Sequence, residues 1–362
     1  METTFTEEEP EVIVNHFFNF TGNGKDLFII RLVNLMLSLV TLGLYYPWAK
    51  AKTLKYLYSE TQLDEEPFTF HGTGKEMFKG FIKIMAIILF LYFLPTLVSL
   101  SGASGSLVIV ATLITFIGFM VLIPLAIHGT VRYRMSRTSY RGIHFGYRGS
   151  LKELSKLYYW NLFLAIITLG IYVPWMTINL RGYVISNIRY GSKEFNYYRD
   201  GGELFLINLK YGFISFFVVM VMGFILGDFF APASGFEKDF LYKIGVFYVG
   251  MLLTILLVQG FYKKDVFNFH FNRTSISDNS EHRFYGMMDN SEVFTFLIKN
   301  VPLLLFTVGI AWPWVQTNLL RMVFYNLQID GTLNLSDVEQ TETAFTDASG
   351  EDLGDFLDID IL

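Results

Sequence analysis

The sequence contains no cysteine, and only 17% of its 362 residues are charged. Without cysteine the chain has no disulfide, no thiolate metal site and no cysteine nucleophile. A soluble domain usually has about a quarter charged residues, whereas this chain is 52% hydrophobic, has 37 phenylalanines and has a mean hydropathy of +0.40. The composition excludes a disordered or collagen-like chain and favours a protein whose solvent is largely lipid.

Basic residues are missing from both ends of the chain. Residues 1–11 hold five acidic residues and no basic one, and ten acidic residues but no lysine or arginine follow Arg321. We predict an acidic tail over 1–11, a membrane domain over 12–335 and an acidic, disordered tail over 336–362. The body between the tails is basic, which is typical of a surface at the cytoplasmic side of a membrane. The acidic start also argues against a signal peptide.

Long stretches without charge locate the predicted membrane helices. Residues 84–127 contain no charged residue and divide at a short turn of small residues. Two helices of about 20 residues each would cross a bilayer over this length. A second pair of such stretches lies at 211–227 and 244–262. We therefore predict four transmembrane helices, arranged as hairpins over 78–128 and 203–262.

Three further apolar stretches are copies of one another. Each has an asparagine followed, at fixed spacing, by a threonine, a glycine and a Pro-Trp pair. The residues are Asn34, Thr41, Gly43, Pro47 and Trp48; Asn161, Thr168, Gly170, Pro174 and Trp175; and Asn300, Thr307, Gly309, Pro313 and Trp314. The shared spacing indicates a threefold internal repeat with cores at 16–60, 144–190 and 282–330. Because glycine and proline interrupt helices, we predict re-entrant or kinked segments.

A glycine-containing turn precedes two of the apolar segments. Residues 20–28 and 70–78 both read Phe-x-Gly-x-Gly-Lys followed by an acidic residue. Alternating aromatic runs such as 68–70, 195–197 and 267–271 predict short strands, and the acidic residue after the lysine is typical of the first turn of a helix. A phosphate loop has four residues between its glycines and Ser or Thr after the lysine. We therefore interpret these turns as helix starts.

Together the two motifs resemble the YjgN-like family of bacterial inner-membrane proteins. The resemblance covers roughly residues 15–335, and its motifs recur at matching places. It implies a multi-pass protein of the bacterial inner membrane. It assigns no catalytic or binding residue that we can transfer to this chain.

The charges between the apolar segments predict how the chain crosses the membrane. The four long connections hold 23 basic residues, and a zigzag of seven crossings would divide them almost equally between the two sides. If the three broken segments enter and leave on one face, all 23 lie on the cytoplasmic side, as the positive-inside rule requires. We therefore predict cytoplasmic strands, which pair into a small sheet layer on one side, and cytoplasmic termini. Continuous crossing with inverted repeats, as in transporters, stays open as the alternative.

The sequence shows no catalytic or metal-binding constellation. Its six histidines lack metal-ligand spacing, and no Ser-His-Asp arrangement is visible. We therefore predict neither an enzyme nor a bound cofactor or metal. The repeated asparagines and threonines either link helices by hydrogen bonds while the tryptophans anchor at the interface, or frame a polar cavity.

We accordingly predict a mainly α, polytopic membrane protein with two alternative functions. The first is transport or lipid handling through a cavity framed by the three broken segments. The second is a non-catalytic membrane scaffold that recruits partners through its cytoplasmic strands and acidic tails. The expected partners are anionic lipid headgroups at cytoplasmic Arg and Lys, with a protein as a further partner of the tails. No nucleic-acid binding is expected.

Overall fold

The computed structural model describes residues 15–229, 239–277, 282–331 and 338–341. The predicted acidic tail over 1–11 lies outside these residues, as does most of the predicted tail over 336–362. In the described chain the order strand, helix, helix, strand occurs five times. We call these repeats units 1 to 5, and the two helices of each unit form its hairpin.

The units have the following elements. Unit 1 has β1 (His16–Phe20), α1 (Gly24–Val40), α2 (Tyr46–Ser59) and β2 (Thr61–Leu63). Unit 2 has β3 (Glu66–Phe70), α3 (Gly74–Leu100), α4 (Gly105–Ser136) and β4 (Thr138–Tyr140). Unit 3 has β5 (Ile143–Tyr147), α5 (Leu151–Ile167), α6 (Val173–Ser186) and β6 (Ile188–Tyr190). Unit 4 has β7 (Lys193–Tyr197), α7 (Gly201–Phe229), α8 (Asp239–Phe271) and β8 (Thr274–Ser277). Unit 5 has β9 (His282–Gly286), α9 (Asn290–Phe306), α10 (Trp312–Tyr325) and β10 (Leu327–Asp330).

The strands form a closed antiparallel barrel rather than the small sheet layer that the sequence predicted. The strand order is β1-β10-β9-β8-β7-β6-β5-β4-β3-β2, and β1 pairs with both β10 and β2. Each strand has only three to five residues. Closure satisfies the edge groups that strands this short would otherwise leave unpaired. The prediction of a small sheet layer was wrong because an alternating aromatic pattern predicts that strands form but does not show how many of them pair into one closed sheet.

The interior of the barrel is filled by one phenylalanine from each odd strand and one apolar or tyrosine side chain from each even strand. Each phenylalanine lies directly opposite its partner in the register of the sheet. The pairs are Phe18 with Leu63, Phe68 with Tyr140, Phe145 with Tyr190, Phe195 with Ile276, and Phe284 with Ile329. These side chains form one apolar core. The middle position of every odd strand therefore points into the barrel, which explains the aromatic alternation in the sequence.

Two tyrosines inside the barrel satisfy their hydroxyl groups internally. The Tyr140 hydroxyl donates to the carbonyl of Leu63 at 2.7 Å, and the Tyr190 hydroxyl donates to the carbonyl of Tyr140 at 3.1 Å. Burial raises the pKa of both tyrosines to about 12. Their hydroxyls therefore remain protonated donors at physiological pH, and the barrel core is closed and uncharged.

All five hairpins leave the barrel at one end, because every odd strand leads into a first helix and every second helix returns to an even strand. The strand-to-strand turns at 64–65, 141–142 and 191–192 lie at the opposite, distal end. Neighbouring units touch through their helices, and α10 contacts α1 to complete the circle. The helices thus follow the same circular order as the strands.

Hairpins 1, 3 and 5 are short, and hairpins 2 and 4 are long. Each short hairpin has helices of 17 and 14 residues, or about 26 and 21 Å at 1.5 Å per residue. The long hairpins have helices of 27 to 33 residues. The three sequence copies are the short hairpins. The architecture repeats five times rather than three, since the long hairpins lack the motif that reveals the repeat in the sequence.

Three helices in the described part of the chain are long and apolar enough to cross a membrane. They are α3, α4 and the part of α7 that ends at Phe224. The fourth predicted crossing, 244–262, lies in α8 and is not among them. A mainly helical membrane fold is confirmed, whereas the fourth transmembrane helix remains a prediction.

One predicted strand was wrong. The aromatic run at 267–271 is the end of α8, where the rings of Phe267 and Phe271 lie 4.7 Å apart on one face of the helix. Both pack against the barrel core, while Phe269 on another face packs beside Tyr197 in a second cluster. A helix end that is covered on several faces carries aromatic residues all round, and five such residues mimic the alternation of a strand.

The glycine turns are helix starts, as predicted. Asn23 caps α1 through its side chain, and Thr73 caps α3 in a capping box with Glu76. The second glycine of each turn has a packing role. A Cβ atom at Gly74 would come within 2.5 Å of the Trp48 ring, and one at Gly24 would come within 2.3 Å of Trp314. These glycines let the tryptophan of one unit pack against the first helix of the next.

Candidate functional site

The tips of the three short hairpins share one turn. In hairpin 3, the Gly170 amide donates to the carbonyl of Ala165 at 2.8 Å and the Leu169 amide donates to that of Ile166 at 3.1 Å. This is the Schellman arrangement that ends a helix. Leu169 has φ +50° and Gly170 has φ +90°. The other two tips match, with φ values of +51° and +88° at Leu42 and Gly43 and of +50° and +83° at Val308 and Gly309.

The threonine of each copy closes the turn instead of facing a cavity. The Thr168 hydroxyl donates to the carbonyl of Leu164 at 2.8 Å and accepts from the amide of Tyr172 at 3.1 Å. Thr41 makes the same two contacts in hairpin 1, and Thr307 makes them in hairpin 5. Pro47, Pro174 and Pro313 then begin the second helix, where a missing amide hydrogen costs nothing.

The residue before each glycine points away from the protein. Leu42 and Leu169 are 94% exposed, and Val308 is 90% exposed. A bulky side chain at positive φ costs roughly 1–2 kcal/mol, so these positions accept both strain and full exposure of apolar surface. In water, the backbone strain and the exposed apolar surface would each raise the free energy of the folded state. The hairpin tips are therefore suited to hydrocarbon.

The asparagines join the two helices of each short hairpin. Asn161 accepts from Asn179 at 2.8 Å, and Asn300 accepts from Asn318 at 2.9 Å. Asn34 instead donates to the carbonyl of Ala49 at 3.0 Å. All three asparagines of the repeat are buried. The geometry is that of an interhelical hydrogen bond.

The tryptophans join neighbouring units. The Trp48 ring lies 5.0 Å from Phe78 of unit 2, the Trp175 ring lies 5.2 Å from Phe205 of unit 4, and the Trp314 ring lies 5.1 Å from Phe28 of unit 1. Along the ring, hairpin 3 is separated from hairpins 1 and 5 by a long hairpin on each side. The three turns therefore lie at separate points of the ring; a shared polar cavity was one of the two alternatives that the sequence left open.

The short hairpins differ at their bases, next to the barrel. In hairpin 1 the Tyr56 hydroxyl donates to the carbonyl of Asn23 and accepts from its amide, both at 2.9 Å. In hairpin 3 the Tyr183 hydroxyl makes the same pair of bonds to Ser150, at 3.1 and 2.8 Å. Hairpin 5 has Met322 at the corresponding position, 33 residues after its helix cap Asp289. Its helices therefore lack the tie that closes the other two bases.

A cleft of about 520 Å³ opens at the base of hairpin 5. Most of its lining residues carry a polar group, although apolar atoms make up more of its surface; they are Ser291, Glu292, Thr295, Phe296, Lys299, Asn300, Asn318, Arg321, Met322, Tyr325 and Asn326. Lys299 is exposed and has no hydrogen bond or ion pair within the described residues. Arg321 donates to the carbonyl of Gly22 at 3.0 Å, across the contact between units 5 and 1. The cleft thus offers two cations and several neutral donors.

The acidic groups near the cleft are already occupied. Glu292 accepts from the amide of Asp289 at 3.1 Å in a capping box. Asp289 accepts from the hydroxyl and the amide of Ser291, and these hydrogen bonds hold the pKa of Asp289 below its usual value. Lys299 is therefore available to an external anion, and Arg321 keeps donors beyond those that contact Gly22 and Asn318. Of the fifteen residues singled out from the sequence, Asn300 lines this cleft.

Sequence reasoning missed the cleft because its signal is a substitution within the repeat. Tyr56 and Tyr183 occupy equivalent positions, and Met322 breaks the series. Lys299 likewise stands where hairpin 1 has Val33 and hairpin 3 has Trp160. Comparing the copies for their differences, rather than for what they share, would have found it. Among the described residues no cluster of three or more potential metal ligands is formed.

Comparisons with known proteins identify the family. Residues 15–356 match the model of DUF898, bacterial proteins of unknown function. The chain belongs to this family. The chain is 24% identical to the inner membrane protein YjgN of Salmonella typhimurium, over 91% of this chain and 92% of that protein. It is 30% identical to YjgN of Escherichia coli O157:H7 over 44% of this chain and 37% of that protein. No solved structure matches.

These comparisons confirm the family resemblance seen in the sequence. The relatives are named as inner membrane proteins, and this chain has apolar helices of membrane-crossing length.

Proposed function

We propose that the protein handles lipid at the cytoplasmic leaflet of the inner membrane, and that the cleft at the base of hairpin 5 holds an anionic headgroup. The observation that carries this proposal is Lys299, which has no hydrogen-bond or ion-pair partner among the described residues, beside Arg321 in a cleft that opens where the base tyrosine is replaced by Met322. A phosphate group accepts hydrogen bonds from both cations. Asn318, Thr295 and Ser291 supply further polar contacts.

The surroundings of the cleft suit the acyl part of a lipid. Along α9, Phe294 and Ile298 are about half exposed, and Phe306 at the tip is 89% exposed. A ligand with its headgroup at the base of the hairpin would lay its chains along this apolar helix toward the tip. The base itself adjoins the barrel, and this supports a position of the charged groups at the level of the membrane interface.

The arrangement of the hairpins supports the membrane orientation. The short helices, about 26 Å at most, do not reach across a hydrocarbon core of about 30 Å. Their apolar tips favour insertion from one side. Strands β1 and β10 pair with each other, so the flanks of both termini lie on the same side as the barrel. The excess of basic residues in the long connections favours the cytoplasm as that side.

Passage of a solute through the barrel is a weaker proposal. The bore holds five phenylalanines and their five cross-strand partners in one packed apolar core. A polar solute would lose its hydration there without finding replacement hydrogen bonds. The alternative function as a scaffold would use the outer surface of the barrel and does not need an open bore.

The test uses the full chain in nanodiscs that contain phosphatidylglycerol and phosphatidylcholine. Native mass spectrometry counts the anionic lipids that the protein retains. We expect Lys299→Ala to lower this number, and Met322→Tyr to lower it as well by closing the base. The matched control is Lys55→Ala, at the position of Arg321 in hairpin 1, whose base is tied by Tyr56.

Two results would contradict the proposal. If both variants retain anionic lipid like the parent, the cleft is not a headgroup site. If Lys55→Ala loses as much lipid as Lys299→Ala, the binding reflects general attraction to a basic surface.

A further inference from the structure

Four residues of the C-terminal region return to the distal end of the barrel. Val338 is 7% exposed and belongs to the barrel core, together with Tyr140, Tyr190 and Leu63. The sequence predicted an acidic, disordered tail over 336–362; within it, residues 338–341 lie against the barrel. An aliphatic side chain in an acidic segment gains burial by covering the open end of an aromatic core.

Specific hydrogen bonds hold this segment in register. Gln340 accepts at 2.9 Å, through its side-chain carbonyl, from the amide of His144 on β5. Thr341 donates its hydroxyl to the carbonyl of Gly191, in the turn between β6 and β7, at 2.6 Å. The apolar anchor is Val338. The two polar anchors bind β5 and the turn that follows β6, and β5 and β6 are paired in the barrel. Because these hydrogen bonds need particular side chains, the contact favours this sequence over an apolar peptide in general.

The turn at Gly191 is shaped for the segment. A Cβ atom at Gly191 would lie 2.4 Å from the carbonyl oxygen of Glu339 and 2.7 Å from a methyl carbon of Val338. Gly142, in the equivalent turn between β4 and β5, also has positive φ, yet a Cβ atom there would meet nothing within 4 Å. The close approach is therefore particular to the place where the segment docks.

We propose that the distal end of the barrel is a binding site for an extended peptide with a small aliphatic residue followed two positions later by glutamine, and that the chain's own residues 338–341 occupy this site as a cap. The occupant is tethered to β10, so its local concentration is high and a free peptide competes with it poorly. A partner that carries the same pattern gains access only when the cap is released.

The first test releases the cap in the full chain and supplies it again from outside. In Val338→Asp, a carboxylate replaces the buried side chain and the cap detaches. A labelled peptide of residues 334–345 should then bind this variant at least tenfold more tightly than the parent. The same peptide carrying Val338→Asp should not bind. Equal affinity for parent and variant, or no binding to a variant that unfolds at the parent's temperature, overturns the proposal.

The second test needs no added peptide. Hydrogen exchange should show faster exchange of the His144 amide in Gln340→Ala and in Gly191→Ala than in the parent. Gly142→Ala also puts a side chain at positive φ, +78° against +52° at Gly191, without touching the cap, and it should leave His144 protected. If Gly142→Ala and Gly191→Ala expose His144 equally, the effect is strain and the proposal fails. A concentration-dependent dimer of the parent would also contradict it, since the occupant would then come from a second copy.

Discussion

The long hairpin 2 and the three short hairpins extend from the same barrel but end in opposite ways; the tip of hairpin 4 lies outside the described residues. The tip between α3 and α4 is built from small polar residues, including the exposed Ser101 and Ser104. The tip of hairpin 3 presents the apolar Leu169, almost fully exposed. Since α3 and α4 measure about 40 and 48 Å, a polar tip suits the far side of the bilayer. A shorter hairpin with an apolar tip suits an end within the hydrocarbon. Length and tip chemistry change together between hairpin 2 and the short hairpins, as expected if one fold uses two depths of insertion.

The largest expected effect is therefore all-or-none labelling. The parent has no cysteine, so single cysteines report cleanly. Ser104→Cys should react with an impermeant maleimide added outside intact cells, because the long hairpin crosses the membrane. Leu169→Cys should not react from outside, because its tip lies in hydrocarbon. Ser59→Cys, exposed at the base of hairpin 1, should react only in inverted vesicles. Outside labelling of Leu169→Cys would show that the short hairpins also cross.

The second effect separates the two kinds of hairpin by backbone conformation. Gly170 has φ +90°, where a residue with a side chain is strained by about 1–3 kcal/mol. Gly170→Leu should therefore lower thermal stability and the yield of monodisperse protein. Gly212→Leu is the matched control in α7 of a long hairpin, where a Cβ atom meets nothing within 4 Å. It should be neutral or stabilising, because glycine costs about 0.8–1.0 kcal/mol in a helix interior. Equal losses in both variants would mean that the turn is not special.

Much of each hairpin was readable from the sequence because it depends on local chemistry. The turn requires glycine, the second helix tolerates proline at its start, and Thr73 with Glu76 forms a local cap. The closed barrel was not readable, since its pairs, such as Phe18 with Leu63, join residues far apart in the chain. The cleft was hidden for another reason. It opens because hairpin 5 has Met322 where the other two short hairpins have a tyrosine, and this difference is seen only when the three copies are aligned.

The third effect concerns the base of the short hairpins. Tyr183→Phe removes the hydroxyl that bonds to the amide and carbonyl of Ser150. A hydrogen bond contributes about 1 kcal/mol net, so we expect a loss of about 1–2 kcal/mol in the free energy of unfolding. Tyr198→Phe, at a 71% exposed tyrosine, should cost nothing measurable. If the two variants are equally stable, the tyrosine tie does not close the base, and the cleft at hairpin 5 needs another explanation.

The smallest expected effect is at the asparagine, which the sequence made the most conspicuous residue of the repeat. Asn161 is 1% exposed and joins α5 to α6 through Asn179 at 2.8 Å, yet an interhelical hydrogen bond in a membrane averages only about 0.6 kcal/mol. Asn161→Leu should therefore cost less than Gly170→Leu. In a double-mutant cycle with Asn179→Leu, the coupling energy should be of about this size, since each single change removes the same bond. A coupling energy near zero would mean that Asn161 does not act through its hydrogen bond with Asn179. If Asn161→Leu also abolished anionic lipid retention while the protein stayed folded, the repeated asparagines would be part of the lipid site. Hairpins 3 and 5 would then both bind lipid and would differ only in how strongly.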